Sequence, residues 1–567
     1  MRISIFFAAV TLLLAWLLPS HFMPWKTAYQ ELLAGGALIL ALLSLSFFSA
    51  KNKSRVQFFA LLCLLLSLIP FVQLAAGLIH YAGDTWLSSL YIAAFALSLI
   101  VGFNLQNNSP AMLRVDFVAG LSWLLLAGSL ISTALAVSQW FGYGDLYWVF
   151  PLPEGSRPSA NLAQPNNFAT LLGMGLAGAV YLFETRKLPR AAAIVLALIL
   201  LFGIALSQSR SPWLVAIFIV LFWAWQRRTL PLRLTNTHML IWLAVYIGMV
   251  FALPLLAEAL GISSSSPVER AQQMSRLGLY KQFSTAVLQG PWYGYGWNQG
   301  FAAQASTALD VSHYEPSYYA HNVLLDLLVW NGPILGGLLI AGVAGWLLLL
   351  LIRAKSLPAT FAWLALSFFI MHSMLEYPHA YLFFLVPAGV LLGVLQASVS
   401  GEVKTLPLPR WLLGCFAIAG AVLLGVVWRD YTIIEVDYLL AQSENQQAFI
   451  PQDEQAASRV YTLTQMREYI YFLRLPLHEP YADEQLQPLR IAVERYPRFY
   501  FLLKGAYILT LNDHVDEAEA YLYKIRGLYR AERFERSLAY LAEKAEEHPK
   551  LLTLVERFNY DLKEETP

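Results

Sequence analysis

The sequence predicts an all-α fold of the polytopic membrane class with a soluble helical domain at its end, and three observations predict it. Of 567 residues, 58% are hydrophobic and only 13% charged, too little polar surface for a water-soluble protein of this length. Apolar runs of about 20 residues, enough to cross a bilayer, recur up to about residue 430. Beyond that point the chain becomes charged, keeps a helical periodicity and contains no spanning run.

About thirteen spans are expected, at residues 3–20, 30–49, 56–77, 85–103, 115–138, 166–183, 191–207, 211–226, 238–258, 320–352, 358–374, 379–397 and 410–428. The first follows Met1-Arg2 and could pass for a signal peptide. Pro19-Ser20-His21 is not a small-residue cleavage site, however, so a retained span is expected. The tenth is unusually long and contains Asn331-Gly332-Pro333; proline removes a backbone donor, so a bend is expected there.

The connecting segments orient the bundle. With a cytoplasmic N-terminus, the inner segments hold Arg2, Lys51, Lys53, Arg55, Arg114, Arg186, Lys187, Arg190, Arg227, Arg228, Arg233, Arg353, Lys355, Lys404 and Arg410. The outer segments hold only Lys26, Arg157, Arg210, Arg270, Arg276 and Lys281, a strong positive-inside bias. Trp and Tyr gather near the ends of apolar runs, as an interfacial belt requires. A net charge of +1 gives no reason to expect nucleic acid. Cys63 and Cys415 lie inside apolar runs, and no Cys/His metal spacing is present.

Three outer segments stand out: 142–164, the long aromatic loop 261–320 and the short turn 372–379. Loops as long as the first two are usually functional or disordered, and the second is too aromatic for disorder. Residues 1–429 thus form a transmembrane domain and residues 430–567 an external helical domain. Within the latter, Tyr500 to Tyr529 resembles a tetratricopeptide helix pair, with a degenerate second unit after it.

Several outer residues can carry chemistry. In Arg157-Pro-Ser-Ala-Asn161-Leu-Ala-Gln164-Pro165-Asn166-Asn167, Pro165 suits the first turn of a helix. The amides Asn161, Gln164 and Asn167 either cap that helix or grip sugar hydroxyls. Arg210, in Ser207-Gln-Ser-Arg-Ser211-Pro212, has almost no loop around it; it either snorkels to headgroups or presents a bidentate fork to phosphate oxygens. Glu269-Arg270, Arg276 and Lys281 precede Pro291-Trp-Tyr-Gly-Tyr-Gly-Trp297 and form either a solvated surface helix or part of a site. His321-Asn322 opens the tenth span, where an imidazole is an interfacial residue or a proton carrier. His372, Glu376, Tyr377 and His379 form a last polar cluster, each alone compatible with packing or headgroup contact.

These motifs occur in the same order in bacterial PglL-type O-oligosaccharyltransferases, of the O-antigen ligase and polymerase superfamily, which the chain resembles from Asn161 to Gly393 and more loosely beyond. The resemblance implies a GT-C-like membrane glycosyltransferase of the bacterial inner membrane, its site and C-terminus facing the periplasm. It would move an oligosaccharide en bloc from undecaprenyl diphosphate to a Ser or Thr hydroxyl of a periplasmic protein, type IV pilin-like proteins included. Arg210, Arg276 and Arg270 would hold the donor diphosphate. His321 would be the catalytic base, with Glu376 as second candidate. Arg157, Asn161, Gln164, Asn167, Tyr377 and His372 would contact substrate. Where many members have His-Ala-His-Asn, this chain has Tyr319-Ala320-His321-Asn322, so one histidine only is carried over.

The diphosphate is already a leaving group, so fixed cations suffice to stabilise it, inversion at the anomeric carbon is expected, and no metal or other cofactor is. No Asp-x-Asp pair occurs in the outer loops. Two other activities fit the same motifs: an O-antigen ligase acting on lipid A-core, or an O-antigen polymerase. A lipid-linked glycan transporter fits less well, since transporters bind at mid-membrane between repeated halves.

Overall fold

The computed structural model describes residues 2–48, 53–112, 116–143, 146–153, 155–262, 275–311, 313–314, 316–445, 459–477 and 480–564. It is overwhelmingly helical. Among the described residues, nine of the thirteen expected spans are helical stretches long and apolar enough to cross a membrane, and the other four are shorter apolar helices, at Ile3–Leu17, Ser211–Gln226, Leu357–Ser373 and Leu382–Ser398. The chain is an integral membrane protein. It divides into two compact units: residues 1–68, 89–273 and 342–428 form one, and residues 69–88, 274–341 and 429–567 the other. The outer loop from residue 274 onward and residues 429–567 therefore share a unit, a grouping that hydropathy along the chain does not reveal.

In the first unit, α1 (Arg2–Leu17) and α2 (Ala28–Phe48) form a hairpin. The hairpin is tied to α15 (Leu382–Ser398) at two buried points: Trp16 Nε1 donates to the Phe383 carbonyl at 2.9 Å, and Leu382 N donates to Glu31 at 2.6 Å. At the centre lies α7 (Pro165–Glu184), packed between α6 (Phe117–Trp140) and α14 (Leu357–Ser373). Small residues permit this close approach, which in lipid replaces the hydrophobic drive for helix association. A Cβ on Gly173 would fall 2.1 Å from the Phe368 ring, and one on Gly178 2.7 Å from the Ser122 carbonyl. Around α7 stand α8 (Arg190–Ser207), α9 (Ser211–Gln226) and α10 (Asn236–Ala259).

Two features depart from the helical expectation. The third span is two helices, α3 (Phe58–Leu66) and α4 (Ile69–Ala75). Pro70 cannot donate to the Leu66 carbonyl, so the helix stops and restarts. In addition, β1 (Lys53–Gln57) pairs antiparallel with β2 (Thr405–Pro409). The Asn104 amide holds β1 from behind, accepting from Arg55 N and donating to Arg55 O, each at 2.8 Å. Segments 350 residues apart in sequence satisfy each other's backbone groups, which no local pattern could announce.

The second unit contains α11 (Ser275–Gln289), α12 (Gly300–Ser306) and the first half of α13 (Val323–Arg353). The expected bend in α13 is present: Gly332 has φ 75° and ψ 168°, just before Pro333. The carbonyls freed by the break are taken by the aromatic turn. Tyr295 N donates to Val329 O at 2.9 Å and Gly296 N to Trp330 O at 3.2 Å. Gln73 completes the junction, donating to Trp330 O at 2.9 Å and accepting from Trp297 N at 2.7 Å. Gly294 and Gly332 must be glycine here, since both have positive φ and the Gly332 Cβ would lie 1.9 Å from the Trp292 carbonyl.

The unit also includes α4 and, among its described residues after the long α16 (Arg410–Asn445), a run of six helices, α17 (Thr464–Arg474), α18 (Asp483–Arg495), α19 (Phe499–Leu511), α20 (Val515–Leu528), α21 (Ala531–Lys544) and α22 (Lys550–Glu564). The pair α19–α20 occupies the stretch that resembles a tetratricopeptide unit. Arg495 forms a buried bidentate pair with Asp84 at 2.6 and 2.8 Å, fastening α18 to the start of α5 (Ala82–Met112).

Candidate active site

The entry to α7 is built by amides. Gln164 is the N-cap, its Oε1 accepting from Asn167 N at 2.7 Å, and Pro165 occupies the first turn, where its missing N–H costs nothing. Asn161 is the hub of the preceding loop. Its Nδ2 donates to Leu17 O at 2.6 Å and Trp148 O at 2.7 Å, and its Oδ1 accepts from Phe150 N at 2.9 Å. The Asn161 carbonyl accepts from His21 Nε2 at 2.8 Å. Burial lowers the His21 imidazole below its ordinary value, so it sits there as a neutral donor. Asn161 and Asn167 are each 2% exposed, and the Asn161 side chain ties the loop to α1 and to the Trp148–Phe150 segment.

Arg210 follows a tight left-handed turn at Gln208, φ 49°. Its neighbours Ser209 and Ser211 are buried whereas Arg210 is exposed. Ser209 Oγ donates to Asn166 Oδ1 at 2.6 Å and lies 3.1 Å from Ser211 Oγ. Asn166 Nδ2 donates in turn to Glu376 Oε1 at 3.0 Å. Arg157 reaches the same turn, donating to Gln208 O at 3.4 Å. One buried polar lattice thus joins three segments and fixes the backbone on either side of an outward guanidinium. Such a fixed cation is what a diphosphate leaving group requires.

Glu376 is 7% exposed, and its Oε1 accepts from the Asn166 amide, so the turn after α14 joins the lattice around Ser209. His372 is 1% exposed, its Nδ1 2.8 Å from Thr170 Oγ1 between α7 and α14. Tyr377 and His379 are half-buried beside it, and the Tyr377 ring lies 6.0 Å from that of Tyr381.

In the second unit, Arg276 and Tyr280 stand one turn apart on α11 and so share a face. The Tyr280 hydroxyl donates to the His321 carbonyl at 3.3 Å, which places His321 beside that face. His321 has φ 55°, a left-handed conformation uncommon for a residue with a side chain, and such outliers gather at functional sites. It is held from both sides: Ala320 N donates to Asp326 at 2.7 Å, and Asn322 Oδ1 caps α13 through Leu324 N at 3.0 Å. Lys281 is exposed. Arg270 and Glu269 lie outside the described residues.

Sequence reasoning overlooked Asn166, Ser209 and Tyr280 as site residues. The serines flanking Arg210 were the available signal, since two small hydroxyls beside an arginine with almost no loop around it invite a buried partner.

Residues 158–183 match the protein glycosylation ligase family, residues 195–341 the O-antigen ligase family, and residues 360–541 the C-terminal part of the virulence-factor membrane-bound polymerase family. The chain is 33% identical to the general O-oligosaccharyltransferase of Acinetobacter baylyi over 92% of both chains. It is 28% identical to the ComP-specific O-oligosaccharyltransferase of the same organism, over 76% of this chain and 77% of the relative. No solved structure matches it significantly. With its multispanning helices and one-third identity to such an enzyme over nearly its whole length, the chain belongs to the O-oligosaccharyltransferase family of membrane glycosyltransferases.

Proposed function

We propose that this chain transfers an oligosaccharide en bloc from undecaprenyl diphosphate to a Ser or Thr hydroxyl of an acceptor protein, at the periplasmic face of the bacterial inner membrane. Family membership makes it a glycosyltransferase of O-linked protein glycosylation; donor, face and acceptor class are the proposal. The orientation rests on the concentration of Lys and Arg in alternate loops, which puts Arg157, Arg210, Arg276 and His321 outside. Pilin-like proteins are the proposed acceptor class, and residues 464–564 offer helical surface for binding protein.

The observation that carries the mechanism is Arg210, exposed between two buried serines of the Ser209–Asn166–Glu376 lattice. Arg210 and Arg276 hold the diphosphate, with Arg270 as a further candidate. The acceptor oxygen attacks the anomeric carbon, the bond from that carbon to the phosphate oxygen breaks, and the electron pair leaves with the diphosphate. The hydroxyl proton passes to the His321 imidazole. Direct displacement inverts the anomeric centre, and the guanidinium charges do the work a metal ion would otherwise do.

Purified protein in detergent, given a polyprenyl-diphosphate-linked glycan and an acceptor protein, is the test. Glycan on protein is the expected product. Glycan on lipid A-core, a lengthened carrier-linked glycan, or no new bond would identify a ligase, a polymerase or a transporter instead.

A further inference from the structure

A cavity of about 520 Å³ opens in the first unit between α7, α8, α9, α10 and α14, within the range of small-molecule sites. Its walls are apolar, among them Val180, Ala197, Leu201, Ile219 and Trp242. One side is open, since Ile194 and Ile241 are 40% and 53% exposed. Lining residues on α8 run from Arg190 to Ile204, a rise of ~21 Å at 1.5 Å per residue, the reach of one acyl chain.

All the charge lies at one end. Arg190 opens α8, and Arg233, in the connection before α10, packs at the end of α7 that leads into α8; both line the cavity. The Arg233 guanidinium sits 4.1 Å over the Phe183 ring and donates to the Phe183 carbonyl. The backbone there is pinned, with Arg233 N and Leu234 N donating to Glu184 at 2.7 and 2.9 Å. Among the described residues neither arginine forms an ion pair, so both charges remain available to an anion.

We propose that this cavity holds an anionic phospholipid, its phosphate on Arg190 and Arg233 and an acyl chain along α8. Basic pockets between membrane helices take acidic headgroups in this way. The charged end is the opposite end of α8 from Arg210, ~27 Å away along an 18-residue helix, so this site is separate from the proposed diphosphate site. The separation rests on the functional assignment of Arg210; the lipid site does not.

Native mass spectrometry of the full-length protein, equilibrated in micelles with equal phosphatidylglycerol and phosphatidylcholine, tests it without any activity assay. One retained phosphatidylglycerol per chain is expected, at least ~5-fold over phosphatidylcholine. The exposed pair Arg190→Gln/Arg233→Gln should abolish that preference, and Ala197→Trp, which fills the cavity, should abolish retention. Equal retention of both lipids overturns the proposal, as does an undiminished preference in either variant. Displacement of the bound lipid by added polyprenyl phosphate at the same stoichiometry also overturns it, assigning the cavity to the donor.

Discussion

Asn166 and Glu376 are 210 residues apart in sequence, and in the fold the Asn166 amide donates to the Glu376 carboxylate at 3.0 Å with both side chains buried. The other end of the same amide accepts from Ser209, next to Arg210. If this chain of contacts positions Arg210, the charge on Glu376 is unimportant and its acceptor oxygen is essential. Glu376→Gln should keep transfer within roughly fivefold of the parent. Glu376→Ala leaves the Asn166 donor unsatisfied, at about 1–3 kcal/mol, and should lower kcat more than KM changes. Steady-state kinetics of the purified variants decide, and complete loss in Glu376→Gln would assign Glu376 the role of base.

Arg210 is the group this lattice presents. Removing one preorganised donor to developing charge typically lowers kcat by about 10²–10³. Arg210→Ala should do so in a protein that still inserts and folds. Lysine keeps the charge and loses the planar fork, so Arg210→Lys should recover only part of the rate. Donor-dependent transfer is the measurement; equal activity of Ala and parent would remove Arg210 from the mechanism.

The contrast between what sequence shows and hides follows from the range of each interaction. Spans are local, because about 20 apolar residues satisfy their own backbone in lipid, and the break at Gly332 was visible because Pro333 is its cause. The division of labour among Asn161, Gln164, Asn166 and Asn167 was not visible. Four amides within seven residues look alike, and only their distant partners make Asn161 a loop hub and Asn166 a link to Ser209. The β1–β2 pairing was hidden for the same reason.

Lys504 gives a pH prediction. It is 6% exposed, donates to Leu473 O at 2.7 Å, and burial lowers its ammonium to about 8 from 10.5. Between those values the unfolded chain binds more protons than the folded one, so stability rises as pH increases from about 8 towards 10.5. Below 8 both states are protonated and the cost of burial is present in full. Hydrogen exchange across 464–528 should therefore slow, after correction for intrinsic rates, between pH 7.5 and 9.5. The trend should vanish in Lys504→Met, and persistence there would assign it to another group.

Replacement of a metal ion by guanidinium groups predicts indifference to chelation. Transfer by purified protein should survive excess chelator. Loss of activity that a divalent ion restores would show that arginines alone do not stabilise the leaving diphosphate.

His321 and Arg276 can be separated by their dependence on pH. A base must lose its proton to act, so its removal should cost roughly 10²–10⁴ in kcat and flatten the acidic limb of the rate profile. A diphosphate-binding arginine takes no part in the proton transfer, so Arg276→Ala should lower the whole profile without changing its shape. Tyr280→Phe removes the hydroxyl that donates to the His321 carbonyl while keeping the ring, so it should give a smaller loss with the acidic limb intact. Normal transfer by His321→Ala would rule out its assignment as base. A profile flattened equally by Arg276→Ala would mean that the limb reports donor binding instead of proton transfer.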